Sequence, residues 1–368
     1  MKNFIVCGHS AIGKSHENSG IKCQDSCDYI NDDNIVVSAI ADGVSSSKHS
    51  DVASKTAVKI VVDFCFKNIN KHDSIDTIIS VIKRGFDEAL FKIKQIAGDY
   101  PADYDTTLTV AVLINETLYY GQIGDSGIIA FLQNGKFIRV TEAQNGEGVG
   151  KDKPVYPLAA KQKWSFGKFG SKIKAIFLAT DGVLKHIQPP LLEKQQYSLN
   201  HNYLRYVYGN IELKKNSDDA TQWVQNEVEK MPPEEVDYDD KTLSVVINKK
   251  ANLKPQPREY YDFPSSELWR MFKKRYEEKL YPSRMSENHK STENGDMHRI
   301  ENIDCNTETE KTISEKSTTD NRLQSFKPIL IHKKEKDGAV NFLFGVLVAF
   351  IFLVGIVLIL LIITLLKS

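Results

Sequence analysis

Five acidic sites stand where apolar, strand-length runs begin or end. Ile35 to Ala41 runs into Asp42-Gly43, and Ile176 to Ala179 leads through Thr180 into Asp181-Gly182. Tyr120 to Gly124 ends on Asp125, while Gln24-Asp25 and Asp239-Asp240 lie beside the strand-like stretches Ile35 onward and Leu243 to Ile247. A single strand closing on Asp-Gly is an ordinary turn. Repetition through one stretch of chain points instead to a shared destination. Clustered aspartates repel unless hard cations neutralise them, and an oxygen-only donor set without paired His or Cys selects magnesium or manganese. Two such ions a few ångströms apart turn a bridging water into a nucleophile and clamp the oxygens of a phosphate ester. The chemistry these residue types point to is metal-assisted phosphoester hydrolysis.

Competing chemistries have weaker support. Gly8 to Ser15 fits the phosphate-loop pattern G-x-x-x-x-G-K-[ST], but the pattern needs a helix that packs behind the loop, and His16 to Gly20 carries no apolar helical period. This counts against nucleotide binding. Cys7, Cys23 and Cys27 with His9 and His16 match no compact zinc spacing. Lysine plus arginine equals aspartate plus glutamate at 48 each, so no global charge argues for nucleic acid. An odd number of cysteines, five, and no apolar opening segment fit a reducing, cytosolic setting for the body of the chain.

The elements that must carry the aspartates follow from periodicity. After Asp42, Ser50 sits at an expected N-cap, and Ala53, Ala57, Ile60, Val61 and Phe64 recur at helical spacing. Ser74 to Ile96 predicts a second helix with Ile78, Ile82, Phe86, Leu90 and Ile93 on one face. Leu108 to Ile114, Thr117 to Ile123, Ile128 to Leu132 and Phe137 to Val140 read as an antiparallel meander, with Asn134-Gly135 as a hairpin turn. Lys161 to Ile176 is basic and glycine-punctuated, and Pro189 to Lys215 reads as irregular. Ser217 caps an expected helix bearing Trp223, Val224 and Val228, and Leu243 to Ile247 is the closing strand.

Composition divides the chain into residues 1–250 as the catalytic body, 251–282 as a helical extension, 283–339 as a disordered polar linker and 340–366 as a membrane anchor. In the extension, Leu268, Met271, Phe272, Tyr276 and Leu280 share a face beside Arg270, Lys273, Lys274 and Arg275. Such a helix suits either an anionic membrane surface or packing on the domain with its charges solvated. Val340 to Leu366 is uncharged and longer than the ~20 residues a spanning helix needs. Lys333, Lys334 and Lys336 precede it, which places the N-terminal body in the cytoplasm and makes the protein single-pass and tail-anchored.

The motifs Ser15-His16, Gly20, Cys23-Gln24-Asp25, Ala41-Asp42-Gly43, Asp105-Thr106-Thr107, Gly124-Asp125-Ser126, Thr180-Asp181-Gly182 and Asp239-Asp240-Lys241-Thr242 follow one another in order. Over residues 4–248 this series resembles the metal-dependent serine/threonine protein phosphatases of the 2C type, in a bacterial-like branch. The resemblance implies an α+β fold, a four-layer α-β-β-α sandwich of two antiparallel sheets flanked by helices, followed here by the C-terminal transmembrane helix. It implies that Asp42 bridges two Mn2+ or Mg2+ ions, that Gly43 offers its carbonyl, and that Asp181 and Asp239 complete the pair. Asp25 would hold metal-bound water, and Asp125 with Asp181 would match a third, weaker ion; a slip of one residue would exchange Asp239 for Asp240. The chain departs from the better-known branch at Gly20, where an arginine grips phosphate, at Val44, where some members have histidine, and at Lys185, where many are acidic. Lys22, Lys48 and His49 are candidates to serve the substrate phosphate, each against the plainer reading of a surface residue. The implied function is removal of phosphate from serine or threonine of proteins at the membrane. A non-catalytic phosphoprotein-binding module of the same fold is the alternative, and a phosphatase of small phosphoesters is a closer variant of the first.

Overall fold

The computed structural model of the chain describes residues 3–144, 155–170, 172–188, 199–231, 239–271, 274 and 329–330. The expected polar linker, apart from 329–330, and the whole 340–366 anchor lie outside the described residues. Among the described residues no helix is long and apolar enough to cross a membrane.

Among the described residues up to Asn248, ten strands build two antiparallel sheets. They are β1 (Phe4–Ala11), β2 (Ser26–Asn31), β3 (Ile35–Ala41), β4 (Leu108–Ile114), β5 (Thr117–Ile123), β6 (Gly127–Leu132), β7 (Phe137–Arg139), β8 (Ser165–Phe169), β9 (Ile173–Ala179) and β10 (Lys241–Asn248). One sheet runs β1-β10-β9-β6-β7, and in the other β8, β5, β4, β3 and β2 follow in that order. Side chains alternate across each strand, so every central strand feeds two cores. Ile35, Val37 and Ala39 of β3 face α2 (Ser50–Asn68) and α3 (Ile75–Ala97). Val36 and Ile40 instead meet Val6, Ile176, Leu178 and Val246 of the opposite sheet. The outer face of that sheet, with Phe177, Val245 and Ile247, packs on α5 (His201–Glu212) and α6 (Ser217–Lys230) through Leu204, Val207, Ile211, Val224 and Val228. The layers are therefore α-β-β-α, as expected. Burial on both faces explains why β3, β4, β9 and β10 read as nearly unbroken apolar runs.

The structure corrects several local expectations. The four strands from Leu108 onward are not one meander: β4 pairs with β5 in one sheet, whereas β6 pairs with β7 and β9 in the other. The chain changes sheets at Gly124-Asp125-Ser126. Ser50 is the first, buried residue of α2, with His49 at the cap. Asn216 rather than Ser217 caps α6, its side chain accepting from Asp219 N. Part of the stretch expected to be irregular forms α5, whose Leu204, Val207, Tyr208 and Ile211 make a buried stripe. A short helix, α1 (Lys14–Ser19), does follow the phosphate-loop pattern, but none of its residues is buried.

Register gathers the acidic sites. In one sheet Ser26 pairs with Ala41, and Leu108 with Ile123. In the other, Ala11 pairs with Lys241, and Ala179 with both Leu243 and Gly127. The ends of β3, β5, β9 and β1 and the starts of β2, β4, β6 and β10 thus lie at one edge of each sheet. The three-residue crossing from β5 to β6 joins the two edges.

Candidate active site

Asp42 is held through its backbone. Its N–H donates to Thr107 Oγ1 at 2.9 Å, and its carbonyl accepts from Thr107 N at 2.8 Å and Thr106 Oγ1 at 3.0 Å. The Asp105-Thr106-Thr107 motif is therefore a clamp for the tip of β3. Gly43 is required by space, since a Cβ there would stand 2.7 Å from the Gln24 carbonyl oxygen. Asp25, 5% exposed, is fixed from the opposite sheet. Its Oδ2 accepts from Thr180 Oγ1 at 2.7 Å and lies 2.8 Å from Thr242 Oγ1. Thr242 Oγ1 is also 2.8 Å from Ser10 Oγ, so its single proton serves one of the two at a time.

Asp125 rides on the sheet crossing. Gly124 takes φ +104°, a conformation that favours glycine. Buried Gln122 staples the crossing, its Nε2 donating to Ser126 O at 2.7 Å and Glu142 O at 3.0 Å. Asp181 opens α4 (Asp181–Ile187), and Lys185 one turn later places Nζ 2.8 Å from Asp181 Oδ2.

Asp239 and Asp240 separate into two roles. Asp240, 2% exposed, accepts from Gly13 N and Gln24 N at 2.6 and 2.5 Å, and His16 Nδ1 lies 3.0 Å from its Oδ2. Its carboxylate thus sits at the Gly13 amide that caps the start of α1, near the place a phosphate would take in a true phosphate loop, and is held from beyond the helix by the Gln24 amide. Lys14 pairs with Glu17 on the surface instead. Asp239 is half-buried and acts electrostatically on both Asp42 and Asp125.

The carboxylates share one field. Burial, then Asp25, Asp181, Asp125 and Asp239, push the Asp42 pKa well above the carboxylate range. Burial does the same to Asp25, opposed by its hydroxyl donors and reinforced by Asp240 and Asp181. Asp125 is raised to about 7 by burial and by Asp181, with Lys185 pulling the other way. Among the described residues no three His, Cys, Asp or Glu side chains close up into a ready-made metal cage. Two buried oxygens, Asp125 Oδ1 and Asp181 Oδ1, have no hydrogen-bond donor. An all-oxygen donor set with orphaned anionic oxygens fits a hard divalent ion.

Beside this cluster, Lys22, Lys48 and His49 line a single cleft of about 310 Å³, whose wall includes Gln24, the neighbour of Asp25. Lys22 and Lys48 are exposed and loosely paired with Asp51 and Asp103 at 4.0 and 3.7 Å. Gly20 is the left-handed C-cap of α1, with φ +68° and open space around its Cβ position, so an arginine at that point would meet backbone strain. The residues that sequence reasoning left without a role are Thr106, Thr107, Thr180, Thr242 and Gln122. Four of them were visible as the threonines beside the acidic motifs. Gln122 carried no signal.

A fold of two sandwiched sheets that brings five aspartates to one edge defines a candidate metallohydrolase. The family model for protein phosphatase 2C matches residues 12–226, more than half of the chain, spanning Asp25, Asp42, Asp125 and Asp181 but ending before Asp239. The chain belongs to the protein phosphatase 2C family. It is therefore a serine/threonine phosphatase by class, a hydrolase of phosphoric monoesters, and its use of magnesium or manganese follows from the family. Similar solved structures include a bacterial serine phosphatase, with TM-score 0.48 and 12% identity over 66% of this chain and 97% of that one. Phosphatase Stp1 from Staphylococcus aureus is similar with TM-score 0.43 and 14% identity over 66% and 94%. PstP/Ppp from Mycobacterium tuberculosis is similar with TM-score 0.46 and 12% identity over 66% and 98%. No curated protein matches the chain.

Proposed function

We propose that this chain is a membrane-tethered phosphatase that removes phosphate from serine and threonine of cytoplasmic proteins, using two Mn2+ or Mg2+ ions. The observation that carries the reading is the meeting of Asp25, Asp42, Asp125, Asp181 and Asp239 at one edge of both sheets, in a common electrostatic field. Asp42 would bridge the ions, with the Gly43 carbonyl, Asp181 and Asp239 as further ligands and Asp25 orienting water beside them. The third, weaker ion that the family resemblance implies would fall on Asp125 with Asp181, the carboxylate pair at which Lys185 also stands. The ions supply Lewis acidity at the phosphoryl oxygens and a water nucleophile at neutral pH.

The protein's own part is to hold these groups still. Thr106 and Thr107 fix the Asp42 backbone, and Thr180 and Thr242 fix the Asp25 carboxylate, which would orient the attacking water. The cleft of Lys22, Lys48 and His49 would receive the substrate phosphate in place of the missing arginine. Exposed ion pairs such as Lys22–Asp51 contribute little, so exchanging the carboxylate for a phosphate is nearly free of penalty. The uncharged run Val340 to Leu366 and the lysines before it support the tether.

Hydrolysis of a phosphothreonine peptide and of p-nitrophenyl phosphate by the full-length chain, with manganese, with magnesium and with chelator, tests the enzyme. Metal-dependent turnover preferring the peptide is the expected result. Metal binding without turnover would favour the phosphoprotein-binding module. For the tether, carbonate extraction should leave the full-length chain in the membrane pellet and release a chain ending at residue 339. Release of both would refute it.

A further inference from the structure

Lys185 carries a charge that the two-ion reading has not used. It lies four residues after Asp181 on α4, so helical geometry sets both side chains on one face. Its Nζ is 2.8 Å from Asp181 Oδ2, and the two side chains are 25% and 27% exposed, too enclosed for a fully screened surface contact. The same ammonium also attracts the Asp125 carboxylate, without touching its buried Oδ1. One cation therefore serves both carboxylates that would otherwise hold a third ion.

We propose that the Lys185 ammonium takes the place of a third metal ion at the Asp125–Asp181 pair, so that the site works with two divalent ions and one fixed organic cation. The inference rests on the two-ion reading of the site. An ammonium is a compact point charge with three donors, and its covalent tie keeps it at the pair whatever the metal concentration. A third divalent ion shared by Asp125 and Asp181 would have this ammonium as a neighbouring like charge. Between a single and a double charge roughly 4 Å apart, repulsion weakens binding by about thirtyfold under full water screening and by several orders of magnitude in a partly buried site. The metal requirement should then saturate with two ions, without a weaker third phase at higher concentration.

Native mass spectrometry and equilibrium dialysis of the full-length chain with Mn2+ test this in the wild type and in Lys185→Arg, Lys185→Gln and Lys185→Glu. Wild type and Lys185→Arg should hold two ions. Lys185→Gln and Lys185→Glu should hold three, the third binding at least roughly a hundredfold more tightly than any third ion on the wild type. Gln is one atom shorter than Lys but keeps a polar end and removes the charge without adding a negative one, so a folding defect in the Glu variant would not hide the effect. A third ion on the wild type with the affinity seen in the variants would overturn the inference, as would two ions in every variant. Fewer than two on the wild type would overturn the two-ion reading and this inference with it.

Discussion

Asp42-Gly43 and Asp181-Gly182 are the same device in sequence, an apolar strand run into Asp-Gly, yet they sit in opposite electrostatic settings. At the tip of β3 the charges that act on Asp42 are four other carboxylates, and its backbone is locked by two threonines. At the tip of β9 the carboxylate has its own cation one turn away. Even the glycines answer different neighbours, Gly43 the Gln24 carbonyl and Gly182 the Asp240 carbonyl. A repeated motif thus fixes where a carboxylate stands and not what compensates it. Asp42 is built to need an external cation, while Asp181 is already half satisfied.

Breaking the uncompensated tip should cost most. Asp42→Ala should lower kcat/KM on a phosphothreonine peptide by ~10³ or more, about 4 kcal/mol of barrier, because the bridge between ions is lost. A loss under roughly tenfold would contradict the role given to Asp42. Next comes the pair that sequence could not separate. Asp240→Ala should destabilise the fold by about 3 kcal/mol in urea titration, since two buried amides lose a charged acceptor. Asp239→Ala should leave the urea midpoint nearly unchanged and weaken Mn2+ binding. Equal destabilisation by both would show that the two are interchangeable.

The acidic cluster also sets a pH dependence. Asp125, raised to about 7 from 3.8, and Asp42 and Asp25, raised well above 3.8 by burial, hold protons in the folded chain that the unfolded chain has released. Without metal, stability is therefore greatest near pH 4 and falls as pH rises through 7. The slope is ~1.4 kcal/mol per pH unit for each extra proton held. Added Mn2+ should reverse the trend, because the ions replace those protons. Thermal melts of chelated and Mn2+-loaded protein between pH 5 and 8 read both slopes, and parallel curves would refute the clustering. The smallest effect sharpens the opening contrast. In chelated protein Asp42→Asn should raise the melting temperature by relieving repulsion. Asp181→Asn should cost about 0.5–1 kcal/mol by breaking a partly screened ion pair.

Much of this was legible from residue order alone. The runs that become β3, β4, β9 and β10 are apolar throughout because both faces are buried, and their acidic ends lie together once antiparallel register is imposed. The change of sheet at Gly124 was not legible, since a tight crossing between sheets and a hairpin within one have the same spacing in sequence. Nor was α5, whose buried stripe of Leu204, Val207, Tyr208 and Ile211 follows a stretch without pattern. α1 escaped because it buries nothing and has the Asp240 carboxylate, more than two hundred residues away, at its first turn. The same long-range contact is why Asp239 and Asp240 looked alike in sequence.

Manganese electron paramagnetic resonance on the full-length chain loaded with two equivalents addresses the paired-ion centre most directly. Two ions bridged by Asp42 should give a coupled spectrum that collapses to that of isolated ions in Asp42→Ala. An isolated-ion spectrum from the wild type, or a coupled one that survives the loss of Asp42, would contradict the assignment of this edge as a two-metal phosphatase centre.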